Sequence, residues 1–421
     1  MQNKFTYWRA AHPLVFISAH LIIGVLIANY FSYSKVNTDP RIGPIACVGI
    51  GLISLFILIA QNRKYIFQGI CVSLILISWG MAISWASKLH EQVHFDYSEY
   101  WIVYGRNLVV AKINKYIVDK EANGFSLAIL LGIKSDMNKD LLNAYTQLGI
   151  VHIIAISGMH LEILFKNLKR ITQLMPRHGV YLILELILLL GIVWMYTLMA
   201  FASPSIVRAS LFFTIYTLGK FFGASAFMLN TIAGGILILL VFNLPGIHHI
   251  GLQLSYGAVI GIQLFYKPLY QSLPMDNPLL RFLWSNCCTS LSAQLTTFPL
   301  LAFHFHQIAG WVLVSNFIMV PLSNYILYGL GILLLLPDYF SIAHYWGKWT
   351  QTYILFFNQF VNNWYDKTGA ATYSVKMYWG ELTLYYIILL FVYLWLYLKQ
   401  SRWLLAVLVV LTSYACLKLF S

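Results

Sequence analysis

Apolar runs close to 20 residues long recur from one end of this chain to the other. An α-helix needs roughly that length to cross a bilayer core about 30 Å thick. In hydrocarbon each backbone N–H and C=O must be paired within the protein, so a chain built of such runs folds as helices. Composition agrees: of 421 residues, 60% are hydrophobic and only 10% charged, whereas soluble domains carry about a quarter charged residues. The expectation is an all-α, polytopic membrane protein with roughly 11–13 membrane helices, some broken or re-entrant. A set of soluble domains is excluded.

Candidate spans fall at about 13–32, 43–60 and 65–87, then 179–200, 204–221, 226–243, 247–266, 281–302, 308–336, 381–398 and 402–420. Pro321, near the middle of 308–336, predicts a break or kink, because proline removes one backbone bond. Residues 88–148 are the most polar stretch. Within it, 108–118 reads as an amphipathic helix, 125–133 as a re-entrant or interfacial helix too short to span, and 138–147 as another short helix. Across 344–366, Trp346, Trp349, Tyr353, Phe356, Phe357, Phe360 and Trp364 recur at helical spacing opposite Lys348, Gln351, Asn358 and Asn362, which predicts an interfacial aromatic face. The expected organisation is a three-span region (1–87), an external polar linker (88–123), a membrane core (124–400) and a last membrane helix (401–421).

The net charge of +13 fits positive-inside loops facing anionic lipid, and it equally fits a polyanionic substrate. The basic N-terminus and the Arg63–Lys64 connector point to the cytoplasm. Lys166, Lys169, Arg170 and Arg177 mark the cytoplasmic end of the segment at 148–165. The N-terminal apolar run is too long for a cleaved signal peptide and reads as a first span. The five cysteines, Cys47, Cys71, Cys287, Cys288 and Cys416, all lie in apolar sequence without a CxxC, as small core residues do. His248-His249 and His304-Phe305-His306 lack nearby carboxylates or thiols at ligand spacing, and no P-loop or GxGxxG occurs. No metal or cofactor is expected.

Polar side chains inside apolar runs carry the functional signal, because in hydrocarbon they are costly unless they meet water, a substrate or one another. The densest group is His152 to His160, with Ser157 and Gly158 between the two imidazoles. Gly158 makes an unwound helix plausible, and unwound backbone is tolerated where it lines a cavity. Helix–helix hydrogen bonding by the same side chains is the plainer reading. Ser157 with a histidine base also leaves an intramembrane serine hydrolase open, although no GxSG is present. Arg208, about a turn into its span, reads as an interfacial snorkel or as a guanidinium facing a phosphate or an internal carboxylate, for which Glu185 is a candidate. Gln253 and Ser255, beside the Gly257–Gly261 GxxxG pair, form a further polar patch; Gln294, Thr297 and Pro299 form another; Asn316 and Pro321 form the last.

In this order the motifs resemble the ComEC-type competence proteins of bacteria. That family typically reads A-LLLG-(R/K)-S, then G-x-x-HLLAISG-(L/M)-H; here Ala128 to Ser135 leads into Gly149 and on through His152 to Ser157-Gly158-Met159-His160. The family's Arg-Ala pair looks like Arg208-Ala209, its GFQLSF like Gly251 to Tyr256, its AQLxTxPL like Ala293 to Leu300, and its NxxxxP like Asn316 to Pro321. The resemblance covers about 125–330 well and the N-terminal spans loosely. Longer members carry an external OB-like domain and often a β-lactamase-like domain. Here about 88–120 alone fills the first place and membrane helices end the chain, so a short form without either module is expected.

The resemblance implies a channel in the bacterial cytoplasmic membrane that passes single-stranded DNA during transformation, without enzymatic activity of its own. The path would run past His152, Ser157, Gly158, His160, Arg208, Gln253, Ser255, Gln294, Thr297, Asn316 and Pro321. Its partners would be single-stranded DNA, membrane lipid, and separate competence proteins acting as DNA receptor, nuclease and motor ATPase. A transporter of another anionic polymer or a lipid is the remaining alternative.

Overall fold

The computed structural model describes residues 13–33, 72–81, 100–135, 137–176, 178–223, 228–241, 250–338, 341–369 and 372–419. The expected span at 43–60, the Arg63–Lys64 connector, the stretch 88–99, Arg177 and the His248-His249 pair lie outside the described residues.

In chain order the helices are α1 (Pro13–Tyr33), α2 (Val72–Met81), α3 (Tyr100–Tyr116), α4 (Lys120–Leu131), α5 (Lys139–Gln147), α6 (Val151–Ile154), α7 (Gly158–Thr172), α8 (Val180–Met199) and α9 (Pro204–Phe221). They continue as α10 (Met228–Val241), α11 (Ile250–Ser272), α12 (Pro278–Phe305), α13 (Val312–Leu335), α14 (Ser341–Thr368), α15 (Trp379–Leu398) and α16 (Arg402–Leu419). Two three-residue strands, β1 (Gln307–Ala309) and β2 (Thr372–Ser374), pair antiparallel with Ile308 opposite Tyr373. The protein is therefore an all-α polytopic membrane protein. Among the described residues α8, α13 and α15 are long and apolar enough to cross a bilayer, and α1, α2, α10 and α16 carry shorter apolar stretches.

Within the described residues the expected segments correspond to helices, with four differences, one being that the start of 308–336 is the strand β1 and α13 begins only at Val312. The 108–118 helix begins earlier, at Tyr100. The spans at 247–266 and 281–302 run on into α11 and α12, which continue through Pro268 and Pro299. Of the break or kink expected at Pro321, the break is absent: α13 is continuous from Val312 to Leu335. Proline costs a single backbone bond, and the buried flanking residues Met319, Ser323 and Ile326 hold the helix in place on both sides of it.

The chain divides into two compact units. In the first, α1 packs on α10 through Leu21, Val25 and Leu240. It also meets α2 backbone to backbone, with Gly24 against Ile77 and Gly80 against Leu21, so close that neither glycine has room for a side chain.

The second unit is built around α4. Asp119 caps it, accepting from Glu121 N and Ala122 N at 3.0 Å each. Gly132 ends it with φ 71°, the left-handed conformation glycine adopts without penalty. Between these caps Phe125, Ala128 and Ile129 are fully buried among residues of α5, α6, α13 and α14. The re-entrant or interfacial helix expected at 125–133 is thus the buried hub of this unit. On α14, Ile354, Phe357 and Val361 are buried in the same core, while Trp349 and Phe356 on its other side are exposed. The aromatic helix therefore serves packing as well as a surface.

Candidate functional site

Every residue of the expected path falls in the second unit. The segment 148–165 is not one helix. Gly149 turns with φ 73°, α6 makes a single turn, Ala155 leaves it in extended backbone (φ −72°, ψ 131°), and Ser157 is extended as well (φ −126°, ψ 168°) before α7 begins at Gly158. The interruption thus precedes Gly158. Gly149 is held to its turn by packing, since a Cβ there would lie 2.8 Å from Val312 Cγ2 at the start of α13.

Ser157 occupies the N-cap position of α7. Its backbone N–H donates to Nδ1 of His160 at 2.8 Å, and its hydroxyl lies 3.1 Å from the same nitrogen. His160 thus fills the place a glutamate takes in a capping box. Its ring is 4% exposed, and its Nε2 is buried without a hydrogen-bond partner. His152, on α6, is exposed.

Helix α7 meets α9 at its first residue. A Cβ on Gly158 would stand 3.4 Å from the Cβ of Ala209. The neighbouring Arg208 is 6% exposed and donates from Nη2 to the carbonyl of Gly251 at 3.0 Å, while its Nε is buried without a partner. Among the described residues no carboxylate forms an ion pair with it. Tyr256, on the same helix as Gly251, has its hydroxyl buried without a partner.

From Gly251 the contacts pass along α11 into α12. Gln253 Oε1 lies 3.1 Å from Nε2 of His304. The Thr296 hydroxyl donates to the Gly257 carbonyl at 2.7 Å, and that of Thr297 to Ala293 O at 2.9 Å. Ser255 and Gln294 are partly exposed on these two helices. Asn316 is 7% exposed with its Oδ1 buried and unpartnered. It and Pro321 lie on α13, which reaches the interrupted segment through Gly149 and Val312; no hydrogen bond among the described residues joins either to His160 or Arg208. The motifs at 152–160, 208–209, 251–257 and 293–300 are thus connected in a series, and the one at 316–321 flanks it.

One residue that the sequence motifs do not include belongs to these surroundings. Arg106 of α3 donates from Nη1 to Met199 O at 2.6 Å and to Leu131 O at 3.3 Å. Its sequence signal is one of three cations, with Lys112 and Lys115, in a weakly amphipathic helix, and nothing in that signal points to the carbonyls that it meets.

These features define a class: a polytopic helical membrane protein in which buried, incompletely hydrogen-bonded polar groups lie along helices connected to an interrupted one. The chain belongs to the competence protein family, whose family model, described as Competence protein, matches residues 129–400. ComE operon protein 3 of Bacillus subtilis (strain 168) is 28% identical to it over 290 residues, which cover 68% of this chain and 35% of that protein. The chain thus spans about a third of the length of that curated relative. No solved structure matches it.

Proposed function

We propose that this chain forms the membrane path through which single-stranded DNA crosses a bacterial cytoplasmic membrane during competence. The observation that carries the reading is Arg208, a guanidinium 6% exposed with no acidic partner among the described residues and a buried, unsatisfied Nε. A buried cation without a counter-ion is costly, and a phosphodiester supplies both the missing charge and the missing acceptors. The unwound backbone at 155–157 and the polar side chains of Gln253, Ser255, Gln294 and Thr297 then border a path that tolerates any base, because they read no sequence. The sequence carries no P-loop or GxGxxG, and this reading therefore takes the driving force from a separate competence protein.

The Ser157–His160 pair favours a second reading, an intramembrane hydrolase, but weakly. A neutral imidazole offers one lone pair, and at Nδ1 it faces the backbone N–H of Ser157 at 2.8 Å before it faces the hydroxyl at 3.1 Å. The hydroxyl therefore lacks a free base.

The test is internalisation of labelled DNA in a deletion strain carrying the chain back as wild type or as Arg208→Met. Wild type restores uptake, and Arg208→Met, folded and present at equal level, lowers it by about tenfold or more, as loss of a charge-assisted contact to phosphate requires. Undiminished uptake in the deletion strain would remove the proposal.

A further inference from the structure

Residues Phe201 and Ala202 both lie in the left-handed region, with φ 51° and 40°. Side chains other than glycine seldom adopt it, and neither residue is of the type that tolerates it best. Two in succession constitute stored backbone strain, which persists only where surroundings over-determine it. The turn matters because it feeds α9. Ser203 and Pro204 open that helix, and within two turns it delivers Arg208 and Ala209 to the interrupted segment.

Beside the Tyr196 hydroxyl, which donates to Leu130 O at 3.0 Å, Arg106 holds this turn from outside. Its Nη1 donates to Met199 O, the last carbonyl of α8, at 2.6 Å, and its guanidinium carbon stands 4.0 Å over the ring of Phe201. The same nitrogen lies 3.3 Å from Leu131 O, the last carbonyl of α4. Carbonyls at helix C-termini carry partial negative charge, so a guanidinium shared between two of them is well placed. Past Leu131 comes Gly132, where a Cβ would lie 3.0 Å from Cδ1 of Ile156 in the interruption itself. Arg106, together with Tyr196, thus ties the two segments that approach the interruption from α4 and from α8, and Arg106 also meets the Phe201 ring.

We propose that Arg106 is a positioning residue: by clamping the strained Phe201–Ala202 turn to the end of α4, it sets Arg208 and Ala209 against Gly158. The importance of this clamp for transport rests on the function proposed above; the clamp itself does not. Arg106→Met removes the donors and the charge. The turn then relaxes, α9 shifts at its start, and the contact of residue 209 with residue 158 is lost. Ala202→Gly, which adopts φ 40° without strain, removes one of the two strained positions and so lessens the turn's dependence on the clamp.

The experiment reads geometry and transport separately. Cysteines are placed at Gly158 and Ala209, whose Cβ atoms would be 3.4 Å apart, at the short end of disulfide reach, in a full-length chain whose own cysteines are replaced. Disulfide yield under mild oxidant in membranes is measured after cleavage between α7 and α8. Labelled-DNA uptake is measured in parallel without the added pair. Arg106→Met is expected to lower disulfide yield about fivefold and uptake about tenfold, and adding Ala202→Gly to restore disulfide yield to within about twofold of the starting chain. Arg106→Lys, which keeps the charge but not the planar group over Phe201, falls between. It also serves as the test variant if Arg106→Met does not accumulate. An unchanged disulfide yield in Arg106→Met, or in Arg106→Lys in that case, overturns the proposal, as does failure of Ala202→Gly to restore it. A chain that shows the disulfide pattern yet takes up no DNA would keep the clamp and remove the transport function.

Discussion

The backbone N–H of Ser157 donates to Nδ1 of His160 at 2.8 Å, so the imidazole closes the first turn of α7. A catalytic base would need that lone pair free, whereas a cap consumes it. Ser157→Ala retains the backbone donor and is expected to leave thermal stability in detergent nearly unchanged, while His160→Ala loses the cap and about 1 kcal/mol. His160→Gln, which can accept from the same N–H, recovers most of the loss. The hydroxyl is also expected not to react with a fluorophosphonate probe. Labelling of wild type that disappears in Ser157→Ala would restore the hydrolase reading.

The two glycines of the GxxxG on α11 are not equivalent. Gly261 lies against the Ser292 carbonyl and the Thr296 side chain of α12 with no room for a Cβ, whereas at Gly257 a Cβ meets nothing closer than 3.7 Å. Gly261→Ala forces the helices apart and is expected to cost about 1–3 kcal/mol, with Gly257→Ala close to neutral. Melting temperatures of the two variants, measured side by side, check this; equal effects would contradict it.

The Tyr145 hydroxyl of α5 donates to Asn358 Oδ1 on α14 at 3.0 Å, and Asn358 Nδ2 donates to Glu121 of α4 at 2.9 Å. Tyr145 and Asn358 are fully buried. Asn358→Leu leaves the tyrosine hydroxyl without an acceptor and is expected to cost about 1–3 kcal/mol. Adding Tyr145→Phe removes the orphaned hydroxyl and regains part of the loss, so the two substitutions are non-additive in the melting temperature.

Between α13 and α14, the Asp338 carboxyl is held below its ordinary value, chiefly by its hydrogen bond from Lys115 and secondarily by Lys112. A carboxyl whose folded value is depressed contributes stability above the unfolded value, near pH 4, and that stability is lost as pH falls through the folded value. Wild type and Asp338→Asn should differ slightly in melting temperature at neutral pH and converge in acid. The pair is solvent-exposed, so the difference is small and shrinks with added salt.

Much of this architecture was legible in the sequence because hydrophobic length is a local property. Runs such as 179–200 and 381–398 fix their own helices, and α8 and α15 end within about two residues of them. Elsewhere the deciding contacts are remote in sequence. Pro321 announces a break that burial of Met319 and Ile326 overrides. Residues 125–133 have the composition of an interfacial helix, and only the packing of α5, α13 and α14 around them makes them a core. The interruption at 155–157 was signalled by Gly158 but is set by the extended backbone of Ser157 and the His160 cap. Arg106 could not be found at all, since its partners, Leu131 and Met199, lie 25 and 93 positions away.

Transport of DNA through this chain requires that the polar series from Ser157 to Gln294 border DNA in transit. A photoreactive amino acid placed in turn at Ser255, at Gln294 and, as a lipid-side control, at the exposed Leu408, followed by irradiation while end-labelled DNA is being taken up, tests this most directly. Adducts between chain and DNA at 255 and 294 but not at 408 are the predicted result. Continued uptake with no adduct at either inner position, or with equal adducts at all three, would contradict it.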